Sequence, residues 1–161
     1  MRIPARVATP AIAAGLLIGA VAAPLLRSHL PLIALSIRWF YAAACHQRTE
    51  RSLFLLGAPL AVCARCTGIY AGAIIGALLR LRTRPALFAV VVALLLNGLD
   101  ISSELSGMHG NLPWLRLVLG MALGAAVGVL LASRDQATDY SGEHRISASA
   151  SPGRETQSAL R

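Results

Sequence analysis

The 161-residue chain has no lysine, only three cysteines, and few charged residues of any kind, at 14% of the total. Aromatic residues are scarce too, at 5%. Each shortage excludes something. With 56% hydrophobic residues and so little charge, a single soluble core of this chain length could not hide the apolar surface, so the expected environment is a lipid bilayer. An odd number of cysteines leaves one thiol outside any internal disulfide, and a disulfide-stapled secreted scaffold does not fit. The formal charge of +8 is carried wholly by arginine. These arginines punctuate apolar segments, as membrane topology signals do, and nucleic-acid binding is not expected.

What is present reads as an all-α integral membrane protein: a four-helix bundle with an extra interfacial helix and a disordered C-terminal tail. Residues 7–26 (VATPAIAAGLLIGAVAAPLL) carry no charge and are long enough to cross about 30 Å of hydrocarbon. A cleaved signal peptide competes, because Ala20-Val21-Ala22 resembles a cleavage site. The apolar run continues past that site to Leu26, which favours a retained helix and an N-terminal unit of residues 1–29.

Residues 30–132 form the second unit. Its first part, 30–44, is apolar but short, and holds Arg38, Trp39 and Tyr41. That mixture suits a helix lying at the membrane interface; a full crossing is the alternative and would change the topology. A second membrane helix is expected from about Pro59 to Arg80, a third over 85–105, and a fourth capped by Asn111 and running to about Ala132. After Ser133 the composition turns to Ser, Ala and charge with no apolar period, the signature of a disordered tail over 133–161.

Four crossings would put both termini on one side, beside the dense Arg80, Arg82, Arg84 turn. The positive-inside rule makes that side the cytoplasm, with the protein in the plasma membrane. Cys45, His46, Cys63, Cys66, Asp100, Glu104 and His109 then all reach the opposite, extracytoplasmic surface. This convergence depends on the number of crossings and not on the direction of insertion.

Periodicity adds detail. Cys63, Cys66 and Tyr70 are spaced to share one helical face, while Gly68, Gly72 and Gly76 share roughly the opposite one. Gly120, Gly124 and Gly128 repeat the small-residue ladder, which lets membrane helices approach closely. The first ladder is expected to pack on a neighbouring helix, the fourth before the others; a homo-oligomer or a membrane partner could also use such ladders. Asn97, Asp100 and Glu104 share a face of the third helix, and an acid in a membrane span calls for a partner.

Three chemistries fit the cysteines. Cys45, His46, Cys63 and Cys66 make a Cys₃His set with the C-x-x-C spacing of zinc sites, open to other soft transition metals. Its role would be structural, or transport with Asp100 and Glu104 along a path and Arg48, Arg51, Arg65 and Tyr70 as further ligand-binding positions. No catalytic residue is assigned in this reading. Alternatively, Cys63 and Cys66 form the redox pair of a membrane thiol–disulfide oxidoreductase using quinone, with Cys45 as shuttle and Arg65 lowering a thiol pKa. Enzymes of that kind commonly use a second cysteine pair, and this chain has one extra thiol. In the third reading the cysteines are buried packing residues of a structural subunit.

The segments CHQRTERS (45–52) and VCARCTGIYAG (62–72), followed by an aspartate in the next helix, resemble a prokaryotic membrane family catalogued as domain of unknown function 2085. The resemblance covers about residues 30–132. It implies signature positions at Cys45, His46, Gln47, Arg51, Ser52, Cys63, Arg65, Cys66, Thr67, Gly68, Tyr70 and Gly72, with Asp100, Asn111, Arg116 and Gly120 matching later motifs. The chain departs from the family pattern at Leu119, where a threonine is common, and at Glu104, where a glutamine is. The resemblance implies a membrane fold and names no reaction.

Overall fold

The structure, a computed structural model, describes residues 5–79, 83–107 and 112–149, with side chains described for 7–79, 85–107 and 112–133. It is mostly helical. Helix α1 spans Ala5–Leu26 and α2 spans Pro31–Ala42. A 3-10 turn at Thr49–Arg51 leads into strands β1 (Ser52–Leu55) and β2 (Ala58–Cys63). Helices α3 (Ala64–Leu78), α4 (Thr83–Leu105) and α5 (Pro113–Ser149) follow.

Among the described residues, three helices are long and apolar enough to cross a membrane, over Val7–Leu26, Pro85–Leu105 and Pro113–Ser133. The 15 residues of α3 fall short of the roughly 20 that a bilayer core requires. At 12 residues α2 is shorter still, and it exposes Leu32, Trp39 and Phe40 on the face away from α1.

The second membrane helix was expected to begin near Pro59. Instead, residues 52–63 form an antiparallel hairpin in which Leu55 pairs with Ala58 and Ser52 with Cys63. The reason is local. Leu56 and Gly57 take φ of 50° and 76°, so both loop residues are left-handed, as a two-residue turn matched to strand twist requires. Pro59 would also have interrupted a helix begun upstream of it. The hairpin buries Leu60, Ala61 and Val62 against α1, in a core shared with Ala20, Ala23, Tyr41 and Cys45. The Tyr41 hydroxyl donates to the Leu16 carbonyl at 2.5 Å, tying α2 to α1. Cys63 therefore ends β2 and caps α3 instead of lying within a helix.

The two glycine ladders meet each other. A Cβ placed on Gly68 would overlap the Leu117 carbonyl oxygen, one on Gly72 that of Met121, and one on Gly76 that of Ala125. Reciprocally, Gly120 takes the Arg65 backbone, Gly124 that of Ile69 and Gly128 that of Ala73. The numbering rises together on both helices, so α3 and α5 run parallel. Asn97 Nδ2 donates to the Ala93 and Leu119 carbonyls, which pins α4 to α5 in the opposite sense together with the Asp100–Arg116 contact. One end of the bundle thus gathers the close of α1, the hairpin, the start of α3, the end of α4 and the start of α5.

The composition change at Ser133 does not end the last helix. Its backbone continues to Ser149, since a helix already nucleated extends readily through residues such as Ala, Arg and Glu. Residues 150–161, the basic positions Arg80 and Arg82, the cap Asn111 and loop residue His109 lie outside the described residues.

Because backbone atoms occupy the space a side chain would need, Gly72→Ala and Gly124→Ala are each expected to destabilise the protein by about 1–3 kcal/mol. Gly15→Ala, at a position with no atom within 4 Å of the added methyl, is expected to be neutral or slightly stabilising. Thermal unfolding of the detergent-solubilised variants checks both.

Candidate metal centre

The hairpin determines where the thiols lie. Its first strand follows the loop that carries Cys45, its second ends on Cys63, and Cys66 falls in the first turn of α3. The three sulfur atoms lie within 4.8 Å of one another. All three cysteines are free thiols; Cys45 is buried, and Cys63 and Cys66 are half-buried. The Cys63 backbone N–H donates to Cys45 Sγ at 3.2 Å. The neighbouring Cys63 and Cys66 thiols, together with that N–H, hold the Cys45 thiol well below its ordinary pKa, against the opposing effect of burial. These contacts favour the thiolate form within the cluster, the form that a metal ion binds.

Tetrahedral thiolate coordination at a zinc–sulfur distance of about 2.3 Å spaces sulfurs about 3.8 Å apart. The observed spread needs a contraction of no more than about an ångström to reach that geometry, so the donor set could hold a soft metal ion. Tyr70, one turn beyond Cys66, packs against the same buried cluster. Behind the loop, Gln47 adopts a left-handed φ of 48° and its amide nitrogen donates to the Arg38 carbonyl at 2.5 Å. A non-glycine residue in this conformation is costly, and here it bends the chain between buried Cys45 and the 3-10 turn.

The sequence grouped eleven chemistry-bearing positions at this surface; the structure brings eight of them into two neighbouring groups, leaves His46 and Arg48 outside both, and does not describe His109. Cys45, Cys63 and Cys66 form the first, with Tyr70 beside them. His46 does not join it: the imidazole is exposed, because residues adjacent in a non-helical loop point to different sides. Arg48 is exposed as well, and its contribution is a backbone carbonyl that accepts the Ser52 hydroxyl at 3.0 Å.

The second group is an ion network. Arg65 pairs with Asp100, and Arg116 lies 3.7 Å from the same carboxylate. Glu104 is bridged by Arg51 and Arg116 at 2.6 Å each. Asp100 is only 6% exposed and Arg116 only 2%. The glycine contact makes this geometry: Arg65 sits on Gly120, one helical turn from Arg116, so guanidiniums from α3 and α5 reach one carboxylate on α4. Arg116 is the most buried charge described; the family resemblance marked it as a motif position, but it was not among the expected ligand-binding residues. Its spacing of four from Gly120, on the ladder face, was the signal available. Arg65 joins the groups, since Cys66 follows it directly.

Three candidate spans, a buried three-thiol cluster and a buried ion network define a predicted multi-pass membrane protein with a cysteine cluster at one end of its bundle. Residues 45–130, just over half the chain, match the family described as "Predicted membrane protein (DUF2085)", and the chain belongs to that family. It is similar to the uncharacterized protein MJ1492 of Methanocaldococcus jannaschii, with 30% identity over 102 residues. That stretch is 59% of this chain and 65% of the relative, so slightly less than two thirds of the relative is spanned. No solved structure matches.

Arg116 is shared by two carboxylates, and its removal leaves Asp100 with Arg65 alone and Glu104 with Arg51 alone. Arg116→Met is therefore expected to cost about 1–3 kcal/mol, less than stripping a buried charge of every partner would. The double variant Asp100→Asn/Arg116→Met should lose clearly less than the sum of its single changes, read as a double-mutant cycle on thermal unfolding in detergent.

Proposed function

We propose that Cys45, Cys63 and Cys66 bind one soft metal ion, zinc or a thiophilic ion of similar coordination, at the membrane edge. The observation that carries this reading is the convergence of three sulfurs from a loop, a strand end and a helix start within 4.8 Å. Three separate elements brought to one point by a tight hairpin make a preorganised donor set. The N–H donated to Cys45 Sγ is a contact that holds a thiolate ligand in place. Three thiolates leave a fourth position of a tetrahedral ion open to water or to a passing ligand. His46 is not needed as a ligand in this reading.

In the same reading α3 completes a fourth crossing alongside α5, with the hairpin filling the remaining depth. The basic residues near Arg84 then face the cytoplasm and the thiols the outer surface, with both termini inside. The metal would pin the hairpin to the bundle, a structural role, or accept an ion that moves on toward Asp100 and Glu104. The competing reading is thiol–disulfide exchange. In it Cys63 and Cys66 close an S–S bond and pass two electrons and two protons to a membrane quinone, which leaves as the quinol, and Cys45 exchanges with the disulfide so formed; the proximity of the three sulfurs favours it.

Elemental analysis combined with thiol counting on purified protein distinguishes the two. The metal reading expects about one equivalent per chain, lost in Cys45→Ser, Cys63→Ser and Cys66→Ser and kept in His46→Ala. Protein whose three thiols are intact and reduced but which takes up no zinc overturns it. A Cys63–Cys66 or Cys45–Cys63 disulfide in cells that responds to blocked quinone reduction would establish the redox reading in its place.

A further inference from the structure

A second feature lies beside the start of the hairpin's second strand, and none of the thiols lines it. Between the end of α1, the inner face of α2 and the first residues of β2 is a cleft of about 430 Å³. Its floor is apolar, made by residues such as Ala23, Ala34 and Pro59, and two guanidinium side chains line it, those of Arg27 and Arg38. Pro31, Ala34 and Arg38 fall at spacings of three and four along α2, so a single face of that helix forms one wall. Neither Arg27 nor Arg38 has an acidic partner among the described residues. Every acid placed at this end of the bundle within the membrane spans, Asp100 and Glu104, is engaged with Arg51, Arg65 and Arg116 instead.

The N-terminus of α2 adds to this field. Pro31 is at its first turn and lines the cleft, and Leu30 supplies no side-chain cap. The start of this 12-residue helix, the positive end of its dipole, therefore borders the cleft through Pro31. Position along the membrane normal points the same way. Arg27 directly follows the last residue of a 20-residue apolar span, and the exposed Trp39 neighbours Arg38. Arginine and tryptophan at the end of a span lie at the depth of lipid headgroups.

We propose that this cleft binds an anionic phospholipid, with the headgroup phosphate held by Arg27, Arg38 and the α2 N-terminus and an acyl chain lying on the apolar floor. The pairing of two cations with an apolar trough at headgroup depth matches both halves of such a molecule. A zwitterionic lipid carries an ammonium that would meet the same positive field unfavourably. Seating a lipid here would also bridge α2 and the start of β2 through Pro59.

The test is native mass spectrometry of the full chain exchanged into mixed micelles holding equal amounts of phosphatidylglycerol and phosphatidylcholine, beside the Arg27→Gln/Arg38→Gln variant. The expected result is preferential retention of phosphatidylglycerol by the unaltered protein, falling roughly tenfold in the variant. Equal retention of the two lipids, or a preference unchanged in the variant, overturns the proposal. So does loss of the preference on adding millimolar inorganic phosphate with phosphate bound in place of lipid, which would make the cleft a free-anion site. Arg48→Gln, an exposed arginine outside the cleft, controls for general charge and is expected to leave the preference intact. Unchanged thermal unfolding and thiol content in the double variant separate lost lipid contact from lost fold.

Discussion

The close approach of α3 to α5 is the contact on which the rest of the molecule depends. Lipid tails are as apolar as the helices, so hydrophobicity offers two such helices no net reason to associate, and van der Waals contact must do so. Six glycines let two backbones touch along three helical turns, each helix seating its glycines on the other's carbonyls. Once α3 and α5 are locked in parallel and in register, Arg65 and Arg116 are held at the same height. Their guanidiniums then converge on Asp100, and the cost of burying that carboxylate is offset only because both cations are preplaced. The start of α3, which carries Cys66, is fixed by the same contact.

A second constraint acts from the other side. The hairpin turn at Leu56-Gly57 reverses the chain within two residues, so the strand leaving the Cys45 loop returns to α3 at Cys63. Burial of Ala61 and Val62 against Ala20 and Ala23 holds this returning strand on α1. The thiol cluster lies where the helix interlock and the hairpin meet. The division of labour is clear: the ion network secures the bundle end between α3, α4 and α5, and the cysteines occupy the seam between α1, the hairpin and α3. Arg65 belongs to the first group while preceding Cys66 of the second, so a change of charge at the thiols, by metal binding or oxidation, would be felt at Asp100.

Much of this was legible before any coordinates. Glycines repeating every four residues have few structural uses, and the two ladders announced a helix pair. Asp100 and Glu104 inside an apolar run required cations, and arginines were the only ones in the chain. The alternating directions of the helices, with α4 antiparallel to α5, bring the cysteines and acids to one end, as the expected order of helices implied. The hairpin was not legible, because SLFLLGAPLAVC is apolar throughout and a run of that kind reads equally as strand or helix; Leu56, in a left-handed conformation unusual for its type, gave no warning. His46 was misleading for a simpler reason. Neighbours in sequence share a site only when the backbone turns them the same way, and in the 45–48 loop Cys45 is buried while His46 faces out.

The central claim is that three sulfurs from three elements form one metal-binding centre. X-ray absorption at the metal edge of the zinc-loaded, purified protein addresses it most directly. The account predicts a first shell dominated by three sulfur scatterers at about 2.3 Å with one lighter atom beside them. A shell of oxygen and nitrogen alone would contradict it.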